Sequence, residues 1–189
     1  MKQISVIIIV LLSIFCIGCK RYCPSFDEDI LNWIPYQEDD EIVLRSQSND
    51  LAIIFSIKSI EITHQTHYTI GYKCGTCDDR IEIIQNDHDT FYFYAMLSLH
   101  KNKITSLFYK IGDTFFDAYS EKEFFLFEGK EYNKVRIFEQ TDSKGTFKKL
   151  IIAKEFGIIG LIDIYGNTWT LTTKKLKERK NIVINNVSC

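Results

Sequence analysis

Alanine is nearly missing from this 189-residue chain, with only Ala52, Ala95, Ala118 and Ala153, while isoleucine, lysine and aromatic residues are plentiful. A chain so poor in the best helix former and so rich in β-branched and aromatic residues is expected to build strands. It also lacks a charge excess. The sequence holds 23 Lys plus Arg and 25 Asp plus Glu, so it offers no broad basic face of the kind a general nucleic-acid binder needs. Catalytic signatures are absent too: no Gly-X-Ser-X-Gly elbow, phosphate loop, His-Glu-X-X-His or calcium loop occurs. No internal repeat or low-complexity tract divides the chain.

What is present begins at the amino terminus. Lys2 is followed by an uncharged run from Ile4 to Ile17 and then by Cys16-Ile17-Gly18-Cys19. As a helix the run reaches about 21 Å, against a hydrocarbon core of about 30 Å, so it is an export signal rather than a comfortable span. The last four residues resemble a bacterial lipobox, departing from the usual leucine at Cys16. That resemblance implies cleavage after residue 18 and acylation of Cys19, giving attachment to the membrane through acyl chains. An ordinary secretory signal cut at the same bond is the plainer alternative. Removing residues 1–18 leaves 171 residues, and since one lysine and no acid leave with them the balance becomes −3. This is the size of one domain. The expected plan is a signal over 1–18, a tether over 19–29 and a single β-rich domain over 30–189.

With Cys19 set aside, Cys23, Cys74, Cys77 and Cys189 remain as disulfide candidates, and three pairings are open. The clearest hairpin is expected around Cys74-Gly75-Thr76-Cys77. A two-residue loop at Gly75-Thr76 would oppose Cys74 to Cys77, Lys73 to Asp78, Gly71 to Arg80, Ile70 to Ile81 and Tyr68 to Ile83, matching charges and apolar residues. Directly opposed Cα atoms lie about 5.5 Å apart, within disulfide reach. A thioredoxin-like role would need this Cys-X-X-Cys at a helix start, and here a strand follows. Zinc shared by His64 or His67 and the cysteines is disfavoured because an extended strand carries His67 about 23 Å from Cys74. A four-cysteine zinc site is the remaining metal alternative. The expectation is no metal and no cofactor, with His88 and His100 solvated or hydrogen-bonded.

Elsewhere the chain reads as short strands separated by polar turns. Ile30 to Tyr36 is expected to be a helical turn or extended arm covering one end of the core, ended by Pro35. Leu51 to Thr63 is a long isoleucine-rich strand with a break near Lys58 or Ser59. Ser120 to Glu123 fits a capping box, but Phe124 to Phe127 reads as strand and is so assigned. Asp27 to Asp29 and Glu38 to Glu41 form acidic clusters whose plain reading is solvation. Lys174 to Lys180 is a basic run that is either a solvated tail or a membrane-surface contact. Asn186-Val187-Ser188 matches a glycosylation acceptor, which carries little meaning in a bacterial lipoprotein. The fold class is mainly β, an antiparallel sandwich or partly open barrel with at most one or two short helices.

Cys19 with Cys23-Pro24, Trp33-Ile34-Pro35-Tyr36 before an acidic loop, the central cysteine pair, and Lys154 to Gly160 leading to Gly166-Asn167-Thr168-Trp169 occur in an order that resembles uncharacterised, mainly β lipoproteins of Bacteroidota. The resemblance implies an envelope lipoprotein on the outer membrane and supplies no catalytic residues. The expected role is therefore non-catalytic, either binding or structural, with a protein or apolar-ligand partner. One alternative is a carrier whose barrel holds an apolar molecule among Phe91, Tyr92, Phe93, Tyr94 and Phe108. Another is an enzyme of unrecognised class. A large apolar cavity would favour the carrier, a tight core with an exposed apolar patch a protein partner, and a polar cleft with clustered ionisable groups an enzyme.

Overall fold

A computed structural model describes residues 28–67, 76–85, 92–100, 103–141 and 144–175. One helical turn, α1 (Glu28–Leu31), precedes eleven strands: β1 (Glu41–Ser46), β2 (Ala52–His67), β3 (Thr76–Gln85), β4 (Phe93–His100), β5 (Lys103–Ile111), β6 (Thr114–Phe116), β7 (Ala118–Phe127), β8 (Lys130–Glu139), β9 (Phe147–Ala153), β10 (Gly157–Asp163) and β11 (Thr168–Lys175). The fold is mainly β and antiparallel, as the composition predicts. Alternation explains the local choice. In β4, Phe93, Ala95, Leu97 and Leu99 are buried while the residues between them are half-buried.

All strands join one sheet in the order β6-β5-β4-β3-β2-β1-β11-β10-β9-β8-β7. Two meanders, β1 to β6 and β7 to β11, are thus zipped together by the antiparallel pair β1 and β11. This order forces curvature. Strands lie about 4.8 Å apart, so a flat sheet would separate β6 from β7 by about 48 Å, yet only Asp117 links them. The sheet therefore curls into a partly open barrel with its seam at Asp117. Across the seam the Thr146 N–H donates to Asp113 Oδ1 at 2.9 Å and the Phe147 N–H to Thr114 Oγ1 at 3.1 Å. The long strand β2 turns a corner: it pairs β1 through Ser56 and β3 from Ile57, with a register shift between Ile57 and Ser59. That is where the sequence predicts the break.

The cysteine hairpin differs from expectation. Ile81 pairs with Ile62, Ile83 with Ile60, Arg80 with Thr63, Asp78 with Gln65 and Cys77 with Thr66, in place of Ile70, Tyr68, Gly71, Lys73 and Cys74. The offset is eight residues. An even offset leaves every side chain on the same face, so periodicity alone cannot distinguish the two registers; the observed one sets isoleucine against isoleucine at Ile60 with Ile83 and Ile62 with Ile81. Direct opposition across a two-residue turn, the geometric reason for a local Cys74 to Cys77 bond, is thereby removed. Cys19, Cys23, Cys74 and Cys189 lie outside the described residues.

The interior is filled partly by the segment that precedes the barrel. Ile30, Trp33, Ile34 and Tyr36 are buried in the main core, so the turn expected to cover one end plugs it. Its polar groups are matched: the buried Ile158 N–H donates to the Tyr36 hydroxyl at 2.7 Å, the Tyr109 hydroxyl to the Trp33 carbonyl at 3.4 Å, and the Glu155 N–H to the Asn32 carbonyl at 2.6 Å. Glu28 and Asp29, read from sequence as tether, belong to α1, and Asp29 pairs with Lys154. Gly157 takes φ 74, and a Cβ there would strike the Tyr36 ring. Burial pushes the Tyr36 and Tyr109 hydroxyls well above the usual phenol value, so both stay neutral.

At the β10 to β11 turn, Asp163 Oδ1 accepts from the N–H groups of Tyr165 and Asn167 at 2.9 and 2.8 Å, and Oδ2 from the Asn167 side chain at 2.9 Å. Burial alone would raise this carboxyl, but the hydrogen bonds from Asn167 and Tyr165 outweigh it and hold its pKa below 3.8.

Tyr36→Phe is expected to leave the Ile158 N–H without its acceptor and to cost about 1–3 kcal/mol in equilibrium urea unfolding. A cost near zero would show that water replaces the hydroxyl. Because the Asp163 pKa is depressed on folding, its stabilisation is complete above the unfolded value and fades as pH falls through the folded one. Asp163→Asn is expected to lower stability by about 1–3 kcal/mol near pH 6. The gap should narrow as pH falls below the usual carboxylate range and through the depressed folded pKa, where the carboxyl becomes neutral. A gap that does not vary with pH would refute the assignment.

Candidate functional site

The carrier reading places five aromatic residues inside the barrel. Neighbouring residues in a strand point to opposite faces, so such a run cannot all face inward. Phe93 does, packing 5.2 Å from Phe55, 6.0 Å from Tyr36 and 6.4 Å from Tyr109 between ring centroids. Tyr92, Tyr94 and Phe108 face outward and are half-buried, and Phe91 lies outside the described residues. On the outer face Tyr94 sits 6.1 Å from Phe108, which sits 5.5 Å from Phe115. Lys110 lies over the rings of Tyr92 and Phe115. Inside, Tyr109 meets Phe138 at 5.2 Å. The interior around Phe93 is thus occupied by the chain's own rings.

A charged group enters this interior from the sheet. Arg136, on β8, shares its face with Phe138, and the alternation puts Val135 and Ile137 on the other side. Its guanidinium lies 3.7 Å over the Trp33 ring and 4.6 Å over Tyr119, and its Nε donates to Glu121 at 3.1 Å. Glu121 stands directly opposite Arg136 across the β7 to β8 ladder, which positions the pair. Arg136 Nη1 is buried without a hydrogen-bond partner. Enclosed between two rings, the guanidinium fastens the plug to the seam. Sequence reading missed it, because its ring partners come from residues 33 and 119 and no local pattern joins them.

The acidic loop is not simply solvated. Asp40 is fully buried, its carboxylate accepting from the Gln37 N–H at 2.7 Å, while the Ile57 N–H donates to its carbonyl at 2.9 Å and the Asp39 N–H to the Ile57 carbonyl at 2.8 Å. Of the basic run, Lys174 and Lys175 end β11 opposite Ile42 and Glu41; residues 176–180 and the site at Asn186 lie outside the described residues. His100 ends β4 opposite Lys103, His64 and His67 stand in β2 opposite Asp79 and Thr76, and His88 lies outside. Among the described residues no three His, Cys, Asp or Glu side chains gather to hold a metal, and no helix is long and apolar enough to cross a membrane.

The outer surface offers a different feature. Beyond Glu123 and Lys134, where Lys134 takes φ 52, the β7 to β8 hairpin forms an arm over the outer face of β9 and β10. Phe127 and Tyr132 pack there with Val135, Ile151, Ala153 and Ile159. The Phe127 ring fills the place a side chain at Gly160 would take. At the arm's tip Gln47 donates to Glu128. With Phe125 and Phe127 turned toward this second core, Phe124 and Leu126 point away and are 71% and 70% exposed.

Compared with protein-family models, curated proteins and solved structures, the chain matches none.

Arg136→Met keeps an apolar stem between Trp33 and Tyr119 and removes the unmatched Nη1, so it is expected to cost less than about 1.5 kcal/mol. Arg136→Ala removes the packing as well and is expected to cost about 2–4 kcal/mol. Urea unfolding of both variants checks the order, and equal costs would mean that charge, not stacking, holds the plug.

Proposed function

We propose that this chain is a membrane-anchored lipoprotein of the bacterial envelope, held by acyl chains on Cys19, that binds another protein through its outer surface and catalyses no reaction. The observation that carries the binding role is the contrast between inside and outside. Trp33 and Tyr36 plug a barrel already lined by Phe55, Phe93, Tyr109 and Phe138, while Phe124 and Leu126 lie open to solvent. A tight core beside an exposed apolar patch favours a protein partner over a carried molecule. The carrier reading would require the plug to leave, exposing Ile30, Trp33, Ile34 and Tyr36. Enzyme chemistry would draw on a cleft of clustered ionisable groups, whereas the charged groups beside the plug are the separate pairs Arg136 with Glu121 and Lys154 with Asp29.

Support for the anchor is the charged start, the apolar run and the Cys16-Ile17-Gly18-Cys19 sequence, together with the resemblance to Bacteroidota lipoproteins of the outer membrane. Intact mass spectrometry on full-length protein extracted gently from bacterial membranes tests both halves of the reading. The denatured mass is expected to show loss of residues 1–18 and gain of acyl chains. Four missing hydrogens would add two disulfides among Cys23, Cys74, Cys77 and Cys189. An unacylated mass would refute the anchor. A small molecule retained only in the native spectrum would return weight to the carrier.

A further inference from the structure

We propose that the β7 to β8 arm is exchanged between two copies of this chain, each laying its arm on the outer face of β9 and β10 of the other. The proposal rests on reading the outer surface as the binding face and names the partner; it is independent of the anchor. What carries it is the bend at the root of the arm. Pairing keeps one register on both sides of that bend, with Lys122 opposite Val135 and Phe124 opposite Asn133, so the same hairpin could run straight. It turns instead at Lys134, whose φ of 52 lies in the left-handed region that strains any residue with a Cβ. The Lys154 N–H, donating to the Lys134 carbonyl at 3.0 Å, holds the chain there. Straightening removes the strain and lifts the arm off its own second core.

The identity of the partner comes from what the vacated face accepts. Ile151, Ala153 and Ile159 would be bare, beside a notch at Gly160 that the Phe127 ring fills in the closed form. Next to it the Tyr132 ring meets Phe156 edge to face at 5.4 Å, and Lys130 lies over both rings. At the tip Gln47 donates to Glu128. A strand or hairpin that fits must carry these groups at these spacings, and the arm of a second copy does so residue for residue. Every contact beyond the bend is then remade between copies, while the left-handed bend is not. The relief of strain favours exchange; the lost freedom of two molecules opposes it and makes it depend on concentration.

Sedimentation velocity of the full chain in detergent, across a range of protein concentrations, tests this. A concentration-dependent dimer is expected. Lys134→Gly accepts the bend without strain and should weaken the dimer about tenfold. Lys134→Val, β-branched and averse to positive φ, should strengthen it by about the same factor. Both changes fall on an exposed side chain and should leave the circular dichroism unaltered. Gln47→Lys sets an amine beside Glu128, so carbodiimide coupling reports which chain's arm lies there. After isotopically light and heavy chains are mixed, coupled peptides from the dimer are expected to join light to heavy. A wild-type chain that stays monomeric, hinge variants that fail to move the dimer in opposite directions, or a dimer coupled only within single chains would each overturn the proposal. An acylated but monomeric chain would overturn arm exchange alone, leaving the anchor and binding by a different protein in place.

Discussion

The structure depends on one hydrogen bond donated by a strand to a side chain from outside the sheet. At Ile158 the β10 backbone slips register against β9, and the buried N–H donates to the Tyr36 hydroxyl at 2.7 Å. An orphaned donor in that setting would be costly. Tyr36 can reach it only because Gly157 has no Cβ and accepts φ 74. Around this contact the rest of the plug falls into place: Asn32 accepts from Glu155, Trp33 stacks under Arg136, and Asp29 pairs with Lys154. Residues that look unrelated in sequence thus solve one problem, how to plug the end of a curled sheet without leaving polar backbone dry.

The same view explains why two distant stretches of sequence stand out together. Trp33-Ile34-Pro35-Tyr36 and Glu155-Phe156-Gly157-Ile158 are the two sides of the plug contact. Pro35 keeps the helical turn from propagating, so Tyr36 leaves it in an extended path toward β10. The apolar run Leu150 to Ala153 is buried on both faces: Leu150 and Ile152 face the barrel, Ile151 and Ala153 the second core under the β7 to β8 arm. An outer face so apolar needs a cover, and the arm supplies it. Having turned Phe125 and Phe127 inward for that purpose, the alternation of the strand leaves Phe124 and Leu126 on the outside.

Much of this was legible in the sequence, and what was not has a common cause. Strand character, the break near Ser59 and the strand identity of Phe124 to Phe127 follow from local pattern, where period-two alternation and turn residues act over a few positions. The register of β2 on β3 was misread because an even offset preserves faces, and the isoleucine-rich strand satisfies either choice. The outward placement of Tyr92, Tyr94 and Phe108 follows from alternation once Phe93 is fixed inside, but composition cannot say which parity is inside. Arg136 gave no local signal at all. Its partners come from residues 33, 119 and 121, and only the closed sheet brings them together.

Closure itself is the least local feature, and it constrains the others. The pair β1 and β11 joins residues more than a hundred positions apart, so it forms only after the entropy of a very long loop has been overcome. Each meander can build its ladders from neighbours in sequence, but neither alone encloses the plug: Trp33 and Tyr36 need Phe93 and Tyr109 from one half and Ile158 and Arg136 from the other. The plug therefore couples the two halves as the β1 to β11 ladder does, but through side chains. Weakening it should loosen the seam at Asp117 before it disturbs either meander, because the seam is held by side-chain acceptors on Asp113 and Thr114 rather than by a continuous ladder.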